Sequence, residues 1–156
     1  MKWMEDYINA VDAHKALDNE PYSNWVSSSH IFTKSTGETI SGGAASWTTL
    51  GKELYTPFAS HLHDPFLLLC WENEEGWEMF GAATLYWNLA VSGDGQKVKD
   101  RKGREWDGAG PASFKSTYVR QDGEIRLAGT QIFADQTGAM RTMLKRGMLK
   151  REDLLK

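Results

Sequence analysis

The chain has 156 residues, 40% of them hydrophobic and 25% charged, with a net charge of −3, a balance that suits one globular domain, residues 1–156, around a single core. The mild negative charge argues against a general nucleic-acid binder, and no apolar run approaches the roughly 20 residues needed to span a bilayer. Seven Trp, six Phe and five Tyr bring more ring surface than a minimal core needs, which suits a pocket for a hydrophobic, ring-containing ligand.

Residues 3–17 show helical spacing, with Trp3, Tyr7, Ala10, Val11 and His14 near one face. Glu5, Asp6 and Asp12 lie within that pattern, so it does not read as a signal peptide. Pro21 blocks its continuation, and Asp18 or Asn19 can cap the next element. A short second helix is expected over 22–26 and a first strand over 30–33, with a turn at Gly37. The run Ser41-Gly42-Gly43-Ala44-Ala45 opens a third helix reaching about Tyr55, closed by Pro57. Two long strands, 62–73 and 77–89, are joined by the acidic turn Asn73-Glu74-Glu75-Gly76. A wide loop, 91–111, leads to a strand over 112–120. Asp122-Gly123 then makes a tight hairpin into the last strand, 125–134. The tail, 137–156, has helical spacing at Met140, Met143 and Leu144 with a break at Gly147.

The most informative stretch is His61-Leu62-His63-Asp64-Pro65, feeding into Phe66-Leu67-Leu68-Leu69-Cys70-Trp71. So apolar a run reads as a central strand covered on both faces. On a strand His61 and His63 share a face while Asp64 points the other way. An imidazole at the lip of an apolar pocket is a natural general acid or base. Cys70 is the single cysteine, so an intrachain disulfide is excluded and a reducing, cytoplasmic setting is expected.

The order of elements predicts an α+β domain: N-terminal helices cover the concave face of a strongly bent antiparallel sheet, leaving a cone whose open end is a pocket. In the Asp18 helix end, the Ser41–Ala45 helix opening and Asp122-Gly123 between the last strands, the chain resembles the nuclear-transport-factor-2-like superfamily. Within it, the chain is similar to the SnoaL-like polyketide cyclases and scytalone-dehydratase-type enzymes, over nearly its whole length to about Asp135. The resemblance implies a cone-shaped fold, often dimeric, with a ligand pocket between helices and sheet. It does not imply one reaction, since members include cyclases, dehydratases, isomerases, epoxide hydrolases and non-catalytic carriers. The catalytic Asp that ketosteroid isomerases carry on the first strand has no counterpart in residues 30–36. Scytalone-dehydratase-like members act through a polar residue at the end of the first helix and a His at the start of the first long strand, which implies Asp18 and the His63-Asp64 pair here. Their penultimate-strand Ser and Asn fall near 112–116, a poor match.

Candidate substrate-binding groups are Tyr118 and Ser116 on one strand face, Gln131 across from them, His14 on the first helix, and Asp135 at the end of the last strand. Asp135 is equally suited to cap the tail helix. Ser92-Gly93-Asp94-Gly95 lacks phosphate-loop spacing and reads as a loop tip. The cluster Lys97, Lys99, Arg101, Lys102 and Arg104 reads as a solvated loop. No metal is assigned, because a zinc site needs three or four convergent ligands and only His14 and His30 remain besides the His61/His63 pair. The expected activity is cofactor-independent acid–base chemistry: cyclisation, dehydration or isomerisation of a cyclic polyketide- or terpenoid-like molecule. His63 or His61 would move the proton and Asp64 or Asp18 would orient it. The alternative is a non-catalytic ligand-binding or dimerisation module of the same fold. A homodimer through the outer face of the sheet is expected, because strands 66–71 and 79–87 are apolar on both sides.

Overall fold

The computed structural model describes residues 2–13, 20–51 and 53–155. Its elements are α1 (Lys2–Asp12), β1 (Val26–Thr33), β2 (Thr39–Ser41), α2 (Gly43–Gly51), β3 (Phe58–Glu72), β4 (Gly76–Leu89), β5 (Val98–Lys99), β6 (Glu105–Trp106), β7 (Gly108–Gln121), β8 (Glu124–Ala134) and α3 (Thr137–Lys145). The helix expected over 22–26 is a single 3-10 turn, Tyr22–Asn24, and β1 begins directly after it. Part of the wide loop forms the small β5–β6 hairpin.

The fold is α+β, with a curved six-stranded sheet in the order β2-β1-β8-β7-β4-β3. The meander β3-β4-β7-β8 is antiparallel, whereas β1 lies parallel to β8, with Ile31 opposite Gly129 and Thr33 opposite Gln131. The sheet is therefore mixed. A parallel neighbour needs a long crossover, and here the whole meander supplies it. Register shifts at Pro65/Leu67 in β3 and at Thr117/Tyr118 in β7 bend the sheet. Asp122 (φ 53°) and Gly123 (φ 80°) close the β7–β8 hairpin with two successive left-handed residues, the backbone a tight twisted hairpin requires.

Helices α1 and α2 bring Met4, Val11 and Trp47 onto Val26, Met79, Tyr118 and Leu127 of the sheet. Trp3 anchors α1 by stacking on Tyr7 (5.5 Å) and meeting Trp25 and Tyr118 edge-on. Such ring pairs are worth about 1 kcal/mol each beyond burial. Helix α3 buries Ala139 and Met143 against Trp87 and Leu89. It ends in a left-handed Gly147 (φ 70°), with Gly147 N–H donating to Leu144 O and Met148 N–H to Met143 O.

The run at 66–71 is not a central strand. It belongs to β3, at the sheet edge, and Phe66, Leu69 and Trp71 are 60%, 52% and 47% exposed. Cys70 is exposed as well, rather than inside the core. The first half of β3 meets the end of α1 at Asp12 and carries the buried His61, whereas beyond Pro65 Leu68 packs on the core and Phe66, Leu67, Leu69 and Trp71 are exposed. Continuous apolarity therefore marks an uncovered face here and not a doubly covered strand.

Candidate active site

Asp12 is the last residue of α1, one position past Val11, and lies over β3. Its carboxylate accepts the backbone N–H of His63 (3.0 Å to Oδ2) and stands 2.6 Å from His63 Nδ1. The other ring nitrogen, Nε2, lies 3.2 Å from the hydroxyl of Tyr55, in the 3-10 turn after α2. His61 is stacked on the Tyr55 ring at 4.0 Å and its Nε2 is 3.6 Å from the same Asp12 oxygen. The sequence dictates this convergence through two local features. Strand alternation turns His61 and His63 to one face, and the end of α1 delivers a carboxylate to them.

Burial, ahead of the proximity of Tyr7 and Asp12, pushes the Tyr55 hydroxyl far above its ordinary range, so it stays protonated. A protonated Tyr55 can donate to Nε2 of a neutral His63. Nδ1–H then donates to Asp12, which assigns the imidazole one tautomer.

His63 and Tyr55 border a cavity of about 510 Å³ enclosed by the helices and the concave sheet. Tyr7, Val11, Phe114, Ile132 and Met143 make its wall largely apolar, and Ser116 and Thr130 add two hydroxyl-bearing side chains. Gly81 admits the Phe114 ring, since a Cβ there would stand 2.4 Å from it.

The remaining sequence candidates are scattered. Asp64 points to the opposite face, where it pairs with Arg101 at 3.0 Å. Asp18 and His14 lie outside the described residues. Ser116 is in the cavity wall. Tyr118 sits in the core beneath α1, its hydroxyl donating to Met4 Sδ at 3.1 Å. Gln131 pairs in register with Lys115 and is not among the cavity-lining residues. Asp135 is exposed at the cavity rim and accepts the Thr137 N–H at 2.9 Å, capping α3. The basic loop is tied to acids: Lys97 to Asp107, Arg101 to Asp64, and Arg104 to Asp100 at 2.6 Å. Trp87 is buried, Trp77 lies under the Arg120 guanidinium, and Trp71 is half exposed.

Asp12 is absent from the candidates that the sequence suggests, where it counts only as a polar residue of the first helix. One signal marks it: Asp12 stands four residues after Ile8 and so borders the inward stripe of Met4, Ile8 and Val11.

One donor atom from each of Asp12, His61 and His63 falls within 4.8 Å of the others, a set that a divalent ion could use. Two ligands of one zinc ion stand roughly 3.3 Å apart at tetrahedral geometry. The 2.6 Å contact between His63 and Asp12 is a hydrogen-bond length.

No family model matches the chain, and no curated protein matches it. Solved structures do share the fold. A hexachlorocyclohexane dehydrochlorinase, LinA-type3 of Novosphingobium barchaimii LL02, superposes with a TM-score of 0.60 at 13% identity, covering 85% of this chain and 82% of that one. A protein described as a scytalone dehydratase, from Novosphingobium aromaticivorans DSM 12444, gives 0.61 at 14% identity over 86% and 80%. A nuclear-transport-factor-2-like protein of Salmonella enterica serovar Typhimurium LT2 gives 0.60 at 9% identity over 84% of each chain. The chain thus has the nuclear-transport-factor-2-like fold.

Proposed function

We propose that the protein is an enzyme that moves a proton on a small hydrophobic cyclic molecule without a redox cofactor, with Asp12 and His63 as its working pair. The observation that carries this reading is the doubly held contact between Asp12 and His63 at the edge of an apolar cavity. A carboxylate on Nδ1 fixes the tautomer whose Nε2 can take a proton, and it stabilises the imidazolium that results. Tyr55 donates to Nε2 in the resting site. A ligand proton taking that place releases the phenol to donate to a ligand oxygen. His61, stacked on Tyr55, sets the position of that ring.

The reaction class is elimination, isomerisation or cyclisation, and the fold's occurrence in a dehydrochlorinase and in a protein described as a scytalone dehydratase supports elimination first. A general base of this kind supplies roughly a hundred- to ten-thousand-fold, and orientation by the apolar walls must supply the rest. The substrate is a polyketide- or terpenoid-like ring system, to which Ser116 contributes a polar contact. The remaining proposals are a cytoplasmic location, one domain over the whole chain, and a homodimer through the outer face of β3 and β4. The exposed Leu69 and Trp71 support the dimer, with Glu78, opposite Trp71 in register and paired to Lys115, as a polar rim.

Purified protein is incubated in deuterium oxide with a panel of cyclic ketones and β-hydroxy ketones, and exchange or loss of water is tracked by NMR and mass spectrometry. Protein-dependent exchange that disappears in His63→Ala, with its melting curve retained, supports the reading. Equal rates in the wild type and the variant favour the rival, a binding module.

A further inference from the structure

A second polar group reaches the cavity wall at Thr130 of β8, separated from the His63 strand by β7 and β4. His30 of β1 is 0% exposed and both of its ring nitrogens are engaged: Nδ1 with Ser46 Oγ at 2.7 Å and Nε2 with Thr130 Oγ1 at 3.0 Å. The two partners are hydroxyls, and among the described residues no carboxylate shares a hydrogen bond with the ring. Burial holds the imidazole to a pKa of about 4, so it is neutral at pH 7. A neutral imidazole has one donor and one acceptor.

The proton count decides which nitrogen donates. Ser46 has one hydroxyl proton, and it goes to Gly43 O at 3.2 Å. Ser46 therefore accepts from Nδ1–H, Nε2 is left as the acceptor, and Thr130 must donate to it. Thr130 borders the cavity with its only proton already committed inward. Its cross-strand neighbour Ser116 also borders the cavity. The Thr130 hydroxyl thus has no proton left to offer a ligand and can only accept.

We propose that Thr130 forms an acceptor-only subsite that selects ligands carrying a hydroxyl or N–H at that end, with His30 as the residue that positions the Thr130 lone pairs. This rests on the cavity being the ligand site, and it adds to the proton-moving role of Asp12 and His63 a requirement for a protic substituent on the substrate. A ligand with only an ether or carbonyl oxygen there would face lone pair against lone pair, with nothing to satisfy either side.

The test compares 2-naphthol with its methyl ether, 2-methoxynaphthalene, by quenching of the protein's tryptophan fluorescence. Wild-type protein should bind the naphthol about tenfold more tightly, the effect of one neutral hydrogen bond to a buried acceptor. Thr130→Val should bring the ratio near one and Thr130→Ser should restore it. Long-range 1H–15N spectra of wild-type protein should show His30 as the neutral Nδ1–H tautomer at pH 7. Equal wild-type affinities, a tenfold ratio surviving in Thr130→Val, or a His30 ring protonated at Nε2 would each overturn the proposal. None of these outcomes depends on turnover, so failure of this subsite and failure of the Asp12–His63 reading are separate results.

Discussion

Asp12 holds His63 at two points, the backbone N–H at 3.0 Å and ring Nδ1 at 2.6 Å, and so fixes both where the residue sits and which nitrogen carries its proton. Asp12→Asn keeps the shape but can present its N–H₂ to Nδ1 and favour the wrong tautomer. Turnover should fall by about 10³- to 10⁴-fold, while the melting temperature moves by only a few degrees. Loss of folding in parallel with activity would make Asp12 structural.

His30 makes stability depend on pH in a defined window. Its folded pKa is about 4 against 6.5 for a free imidazole, because burial disfavours the charged ring. The unfolded chain binds the proton first as pH falls, so stability is complete above about 6.5 and is lost on going down towards 4. The loss amounts to about 3 kcal/mol. Urea unfolding at several pH values should show this slope in the wild type and a flatter one in His30→Gln. The same slope in both would assign it to other groups.

Arg146, just after α3, reaches both oxygens of Asp107 and the carbonyls of Val91 and Gly93, and only 8% and 4% of the two charged side chains is exposed. The Arg146 hydrogen bonds hold the Asp107 carboxyl well below its usual range in spite of burial. Arg146→Ala leaves a buried carboxylate with Lys97 as its remaining cation. The melting temperature should drop by several degrees and α3 should gain amide exchange ahead of the sheet. Unchanged protection in α3 would contradict this tie.

Leu69 and Trp71 test the proposed dimer. Leu69→Lys should lower the sedimentation coefficient at micromolar concentration without changing the circular dichroism spectrum, because it places a charge on an apolar contact surface. A wild-type monomer at that concentration would contradict the dimer.

Much of the fold is legible in the sequence, and the reasons are local. Asp122-Gly123, the Ser41–Ala45 helix opening and the alternation of His61 and His63 are short-range signals with a fixed backbone meaning. The edge position of β3 is not legible, because an apolar run has the same pattern in the middle of a sheet and at an uncovered edge. The pairing of β1 with β8 is a choice between distant partners. In the site, His63 is legible and Asp12 is not, since their contact joins a helix end to a strand 51 residues later. The alternation that turns Asp64 away from His63 is readable from the strand alone, and Arg101 accounts for its charge.

The central claim is that Asp12 and His63 act as one unit, and a double-mutant cycle on proton exchange measures it most directly. The rate is compared in wild type, Asp12→Asn, His63→Ala and the double variant, each with its melting curve, on whichever cyclic ketone the wild type exchanges fastest. The account predicts that the double variant is no slower than His63→Ala alone, because Asp12 acts only through the imidazole. Single losses that multiply in the double variant would contradict it.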